Sequence, residues 1–157
     1  MNNTQNTNQN ILEKEIDLIQ ACISRMANNS FLVKGWLISL IAVGFALLPE
    51  TFNIKVLCII SVLICFCFWY LDAFFLKMEK LYRWKYEWII ENRLTNEQHC
   101  YDLNPYETEM WLKGDGEKEK KAPLVVRVMF TKTLTPLYLP ILFTIIFMFI
   151  NTYTNWI

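Results

Sequence analysis

Residues 56–71, VLCIISVLICFCFWYL, carry no charge and pass without Gly, Pro or any turn signal into Asp72 and the stretch DAFFLKMEKLYRWKYEWI. An apolar run of this kind fits a bilayer-crossing helix, which needs about 20 predominantly apolar residues. The stretch after Asp72 interleaves Lys and Arg with Phe, Tyr and Trp, the composition of a helix at a membrane–water boundary. A backbone that enters hydrocarbon must satisfy its own hydrogen bonds, so a single spanning run of this type commits the segment to helix. The junction therefore predicts one long helix that leaves the membrane and continues as an amphipathic extension to about Asn92.

Two further apolar stretches make the expectation an all-α integral membrane protein with three spans. The first span is read over 31–48, stopped by Pro49. Its uncharged core, 35–48, is short, so Lys34 sits at the membrane edge and snorkels. The loop 49–53 is tight, so the second span, 54–71, returns antiparallel, and 31–71 forms a transmembrane hairpin. Thr135 and Pro136 read as N-cap and first helical residue. They open a third span over 137–150, with Tyr153 and Trp156 as interfacial aromatics. The segment 131–157 holds this span and a short C-terminus. Composition agrees: 54% of the 157 residues are hydrophobic, too apolar for an ordinary soluble domain. Gly35, Ala42 and Ala46 permit close helix approach. Ser39, Ser61 and Thr144 are hydroxyls within the spans, and no acid lies inside them. A conduction path would then suit a hydrophobic gate better than a charge-lined filter.

The rest of the chain is polar. Residues 1–9 are rich in Asn, Gln and Thr and are expected to fray. They lack the basic, then apolar, pattern of a cleavable signal peptide. Over 10–30, Leu12, Ile16, Ile19, Ile23 and Met26 recur at spacings of 4, 3, 4 and 3, an a/d seam. Glu13, Lys14, Glu15 and Asp17 are read as lying off it. Two readings stay open for this seam: packing on the same chain, or contact with a second copy in a homo-oligomer. The region 72–130 combines the amphipathic extension with a loop broken by Pro105, a short helix over 106–112, the solvated loop GDGEKEKKAP, and LVVRVM, ambiguous between strand and helix and read as helix. Most of the Lys and Arg lie between the second and third spans. The positive-inside rule then puts the N-terminus and the 72–130 region in the cytoplasm and the C-terminus outside.

Function classes narrow unevenly. Net charge is zero, so no global argument for nucleic acid exists. The five cysteines form no C-x-x-C and no disulfide framework, as fits a reducing compartment. His99 is the one histidine, with no second His for a metal site or hydrolytic triad. Neither a metal, a cofactor nor an enzyme activity is expected. Ser30 and Lys34 share a helix face, read as incidental rather than as a catalytic dyad. The carboxylates of EKEID and YETEM are read as solvated faces.

Two features carry the functional expectation. In an antiparallel hairpin Lys34, before the first span, and Asp72, after the second, reach the same membrane edge. An ion pair there would spare both an unpaired desolvation cost. Arg25 and Glu79 offer a second rung further out. Such pairs serve as snorkelling edge residues, as a brace, or as a switchable latch. The second feature is the basic aromatic stretch. Lys77, Lys80 and Trp84 fall along one helix stripe, with Arg83 and Lys85 beside it. Aromatics next to cations serve single-strand binding and membrane interfaces alike, and from residue chemistry alone the interface is favoured.

RMANNSFLVKGWLISLIA (25–42), FWYLDAFFLKMEKLYRWKY (68–86) and TKTLTPLYLPIL (131–142) resemble a family of small three-span bacterial membrane proteins found in anti-phage defence loci, with the membrane effector of the Hailong system as the nearest functional match. Arg25, Asn28, Asn29, Lys34, Trp36, Asp72, Glu79 and Arg83 match the family patterns by position, whereas Phe74, Phe75 and Lys80 depart mildly from them. The 93–123 loop lies outside the resemblance. The resemblance implies a homo-oligomeric, tetrameric ion channel that depolarises the inner membrane in abortive infection. It further implies a closed state held by a single-stranded DNA oligomer made by a partner nucleotidyltransferase, and opening when that ligand is lost. Arg25, Lys77, Lys80, Arg83 and Trp84 are the residues expected to take that oligonucleotide.

Overall fold

The computed structural model describes residues 2–47, 53–96, 98–111 and 120–154, with backbone alone for residues 2–7 and 153. The loop 49–53, apart from Asn53, most of the solvated 114–123 loop, and Trp156 lie outside the described residues. Among the described residues four α-helices follow one another: α1 (Asn2–Ala46), α2 (Ile54–Asn92), α3 (Val125–Met129) and α4 (Thr135–Thr154), with a 3-10 turn at Thr108–Met110 before α3. No strand occurs among the described residues, so LVVRVM is helical and the chain is all-α. Three helices are long and apolar enough to cross a membrane, lying within α1, α2 and α4.

Two sequence expectations change here. The polar start is not frayed, because α1 begins at Asn2. The segments read separately over 10–30 and 31–48 also belong to one continuous helix, α1, up to Ala46. The physical reason is visible at Ser30. Its hydroxyl donates to Asp72 Oδ1 and accepts from Lys34 Nζ, so it is engaged by these side chains in place of the helix N–H that a cap would serve. α2 runs unbroken through Asp72.

The chain divides into two compact units, Met1–Asn28 with Phe75–Pro123, and Asn29–Phe74 with Leu124–Ile157. The first, polar unit has a core of Ile19, Cys22, Tyr82, Trp88, Ile89 and Met110, against which Leu12, Ile16, Ile23 and Met26 pack. The seam thus packs on the same chain, the first of its two readings, while Leu12, Ile16, Ile23 and Met26 stay partly exposed. The periodicity was real but did not identify the partner: the apolar residues of 75–92 and Met110 offered the same complement as another copy.

The second, apolar unit buries Leu37, Cys58, Cys65, Trp69, Leu134, Tyr138, Leu142 and Ile145. Its outer faces are covered with apolar side chains such as Phe31, Trp36, Leu63, Phe143 and Phe147. Those faces suit hydrocarbon, not water. Pro140 lies inside α4, where its missing N–H interrupts one rung of the helix; Thr144 Oγ1 donates to the Pro140 carbonyl at 2.9 Å. The expectation that Gly35 permits close helix contact fails, because a Cβ there would meet nothing within 4 Å. Gly35 instead borders a shallow groove lined by Phe31, Leu32, Trp36 and Ser39.

Candidate functional site

In the apolar unit every long helix contributes to one polar cluster. Ser30 and Lys34 stand one turn apart on α1, so their side chains share a face. Asp72 of α2 is fully buried. Lys34 Nζ lies 2.7 Å from Asp72 Oδ2 and 2.8 Å from Oδ1. Lys34 also donates to Ser30 Oγ at 2.7 Å and to the Ser30 carbonyl at 3.2 Å. From α4, Tyr138 donates its hydroxyl to Asp72 Oδ2 at 3.0 Å. The Tyr138 ring stacks on Trp69, centroids 5.5 Å apart and planes 4° from parallel. Trp69 Nε1 in turn donates to the Met129 carbonyl at 2.9 Å, tying in α3.

A carboxylate with no exposure is tolerable only when its charge and lone pairs are satisfied. Asp72 meets that condition with one cation and two hydroxyls drawn from two other helices. Lys34 keeps 26% of its side-chain surface exposed, so the cluster has one wet edge. Ser30 and Lys34 do touch, but Ser30 is buried and gives its proton to Asp72. The ammonium spends its own N–H groups on Ser30 and Asp72, and the serine hydroxyl donates to the carboxylate that Lys34 already neutralises. The arrangement joins helices, with the Ser30 hydroxyl buried inside it.

The second rung expected from Arg25 and Glu79 does not form. Glu79 is occupied by Arg83, whose Nε and Nη2 lie 2.9 and 2.7 Å from the same carboxylate oxygen. That pair is one helix turn apart, and local i,i+4 geometry outcompetes a partner on another helix. Among the described residues Arg25 donates to Cys22 Sγ, at 3.7 Å.

The polar unit holds a second buried hub that the sequence reading missed. Glu15 and Arg93 form an ion pair with side chains 3% and 2% exposed. Arg93 also donates to the carbonyls of Asn96, Gln98 and His99, and Glu15 accepts the Tyr101 N–H. The loop after α2 is thereby wound around one guanidinium, with His99 and Tyr101 at φ 57°. Glu15 is not a solvated residue of EKEID. Leu12, Glu15, Ile19, Cys22 and Met26 recur at 3 and 4, so Glu15 lies on the buried stripe, and this was the available signal.

The proposed ligand residues fall unequally. Lys80 stands over the Trp84 ring at 5.2 Å and Lys77 over Tyr106 at 5.2 Å. Lys120 covers Trp84 at 5.4 Å, and Trp111 meets Trp84 edge-on at 5.4 Å. A cavity of about 490 Å³, lined in part by Tyr106, Trp111, Lys120 and Lys121, opens in this unit. Arg83 is exposed but already paired with Glu79. Lys85 is buried, donating to the Asn104 carbonyl at 3.0 Å and facing Asp102 at 3.4 Å, so it is withdrawn from any surface role. Burial works against the Asp102 charge, but the Asn104 N–H and the Lys85 ammonium outweigh it and hold the carboxyl below its usual pKa.

His99, Asp102 and Glu107 bring potential metal-ligand atoms within 4.8 Å of one another. A search for a second histidine overlooks carboxylate partners of this kind. Asp102 is already engaged by Lys85 and by the Asn104 N–H at 2.7 Å, and His99 Nε2 lies 3.2 Å from Glu109, so two of the three groups are already partnered.

No family model, no curated protein and no solved structure matches this chain.

Proposed function

We propose that the chain is a ligand-gated membrane channel of anti-phage defence that depolarises the inner membrane when released. The observation that carries this reading is the Ser30–Lys34–Asp72–Tyr138 cluster. A charge buried among three apolar helices is costly to maintain, and a fully partnered one is an element with two discrete states, joined or broken. The wet edge at Lys34 is where that equilibrium is open to bias.

The closed state is held, on this reading, by a nucleotide or single-stranded DNA oligomer on the cytoplasmic face, supplied by a partner nucleotidyltransferase. Support comes from the cation–aromatic pairs Lys80–Trp84 and Lys77–Tyr106, the arrangement that stacks bases and neutralises phosphates. Arg25 remains exposed and is retained as a ligand residue; Arg83 would have to leave Glu79 to contribute. Only a ligand with different affinities for the closed and open states can gate the pore. Conduction would require a homo-oligomer, a tetramer by the resemblance. The outward apolar faces of the spans are one surface on which copies could meet.

A voltage-sensitive dye in cells expressing the chain with and without its genomic neighbour tests this. Depolarisation that the neighbour suppresses supports a regulated channel. Depolarisation regardless of the neighbour indicates a holin-like pore without a nucleotide ligand. The other reading, a non-conducting scaffold that recruits a cytosolic partner, draws on Thr144, whose hydroxyl is turned back onto Pro140 rather than offered to a pore. That reading predicts no depolarisation under phage challenge.

A further inference from the structure

The short helix α3 and the turn after it are unusual in what they leave uncovered. Val128 and Met129 are buried, and the Met129 carbonyl is fixed by Trp69 Nε1. At about 100° per residue, Val126, Arg127 and Phe130 fall on the opposite side, and Leu124, the extended residue just before the helix, stands outside it. The structure agrees: Leu124, Val126 and Phe130 are 72%, 59% and 64% exposed, and Arg127 is exposed with them. Phe130 is held from behind by Trp69, ring centroids 5.2 Å apart. The turn that follows is closed by Thr131 Oγ1 donating to the Val128 carbonyl at 2.8 Å and by the Leu134 N–H on the Thr131 carbonyl. It leaves Lys132 exposed, three residues before α4 begins at Thr135.

We infer that this face is a binding surface for anionic phospholipid. Three apolar side chains held outward in water lose the gain of burial, whereas at the boundary of headgroups and acyl chains they regain it. Two cations beside them, immediately outside the start of a membrane-crossing helix, meet the negative headgroups at the depth where such groups lie. Among the described residues neither Arg127 nor Lys132 has an acidic partner, so neither charge is already neutralised. The surface is fixed in shape by Trp69, which makes it a preformed seat. The inference rests on the membrane location of the chain but not on channel activity.

The test uses the full chain reconstituted in phosphatidylcholine nanodiscs with a minor share of phosphatidylglycerol. Mass spectrometry then reads the lipids that remain bound after detergent extraction. Wild type retains phosphatidylglycerol above its bulk share. Each of Arg127→Gln and Lys132→Gln lowers that enrichment by about fivefold, as expected for roughly one basic residue at an anionic surface. Leu124→Ser with Phe130→Ser lowers retention of both lipids. A bulk lipid ratio on the wild type overturns the proposal. An independent check is Val126→Cys, labelled by a water-soluble maleimide and compared with the parent chain. Protection in anionic vesicles and labelling in detergent is expected, and full labelling in the vesicles overturns the proposal. Protection accompanied by a Val126–Val126 cross-link between copies also overturns it, assigning the face to a second copy.

Discussion

Two of the buried acid–base pairs among the described residues, Glu15–Arg93 and Lys34–Asp72, look alike and differ in how they are held. Glu15–Arg93 is closed on all sides: its guanidinium is used up by a carboxylate and three backbone carbonyls, and its carboxylate by a backbone N–H. Such a hub has no second arrangement to adopt, and it fixes the loop after α2 in place. Lys34–Asp72 is held by side chains alone apart from one contact to the Ser30 carbonyl. These side chains come from different helices, and one of them reaches solvent. Side-chain partners on separate helices can part without unravelling either helix. On the proposed function, the first hub would maintain the fold and the second would switch.

The largest expected effect breaks the closed hub. Arg93→Ala leaves Glu15 buried and unpaired, and Glu15→Ala leaves the guanidinium so. Each should cost about 3–5 kcal/mol, seen as loss of folded protein in a thermal-shift or proteolysis assay. Retained stability in both variants would remove the distinction between the hubs.

Next comes the switch. Asp72→Asn keeps the side-chain shape, weakens the attraction to Lys34 and leaves Tyr138 an acceptor. Expressed at wild-type membrane levels, it should depolarise cells and slow growth. Lys34→Met should do the same, and Tyr138→Phe, which removes one hydrogen bond worth about 1 kcal/mol, should act more weakly. A brace without a switching role would instead show lower protein levels and no depolarisation.

A smaller effect is expected from Lys80→Ala with Arg83→Ala. If these residues hold a ligand that keeps the channel closed, the variant should be toxic on expression. Harmless expression at wild-type membrane levels would separate the basic aromatic stretch from gating.

The smallest concerns pH. The Asp102 carboxyl is held below its usual pKa in the folded chain, so folding favours its charged form. Its contribution is fully present above the unfolded value, about 3.9, and is lost as pH falls through the lower folded value. Asp102→Asn should therefore lower the polar unit's stability at neutral pH, converge with wild type at acid pH, and so flatten the acid limb of its stability curve.

How much of this was legible depends on which periodicity or register encoded it. The three apolar helices follow from uncharged runs, because hydrocarbon imposes a composition that water does not. The pairing of Lys34 with Asp72 follows from hairpin register alone, since both flank spans at the same end. Tyr138 was not legible. Its role depends on where α4 packs, and a tyrosine near the start of an apolar span reads equally as an interfacial aromatic. Ser30 sat in a segment whose Asn and Ser favour caps, and tertiary hydrogen bonding to Asp72 overrode that local preference. Arg93 and Glu15 are 78 residues apart in sequence, beyond any local pattern. Glu15 betrays itself only by standing on the stripe of Leu12, Ile19 and Cys22. The apolar seam of 10–30 showed that a partner exists, but not that the partner is the same chain.

The central claim is that the Asp72 cluster holds the membrane helices in a closed arrangement. The most direct measurement is ionic conductance of the purified chain in planar bilayers, wild type without ligand against Asp72→Asn and Lys34→Met. The account predicts a higher open probability in both variants at unchanged unitary conductance. Equal open probability, or silence in all three with correctly inserted protein, would contradict it.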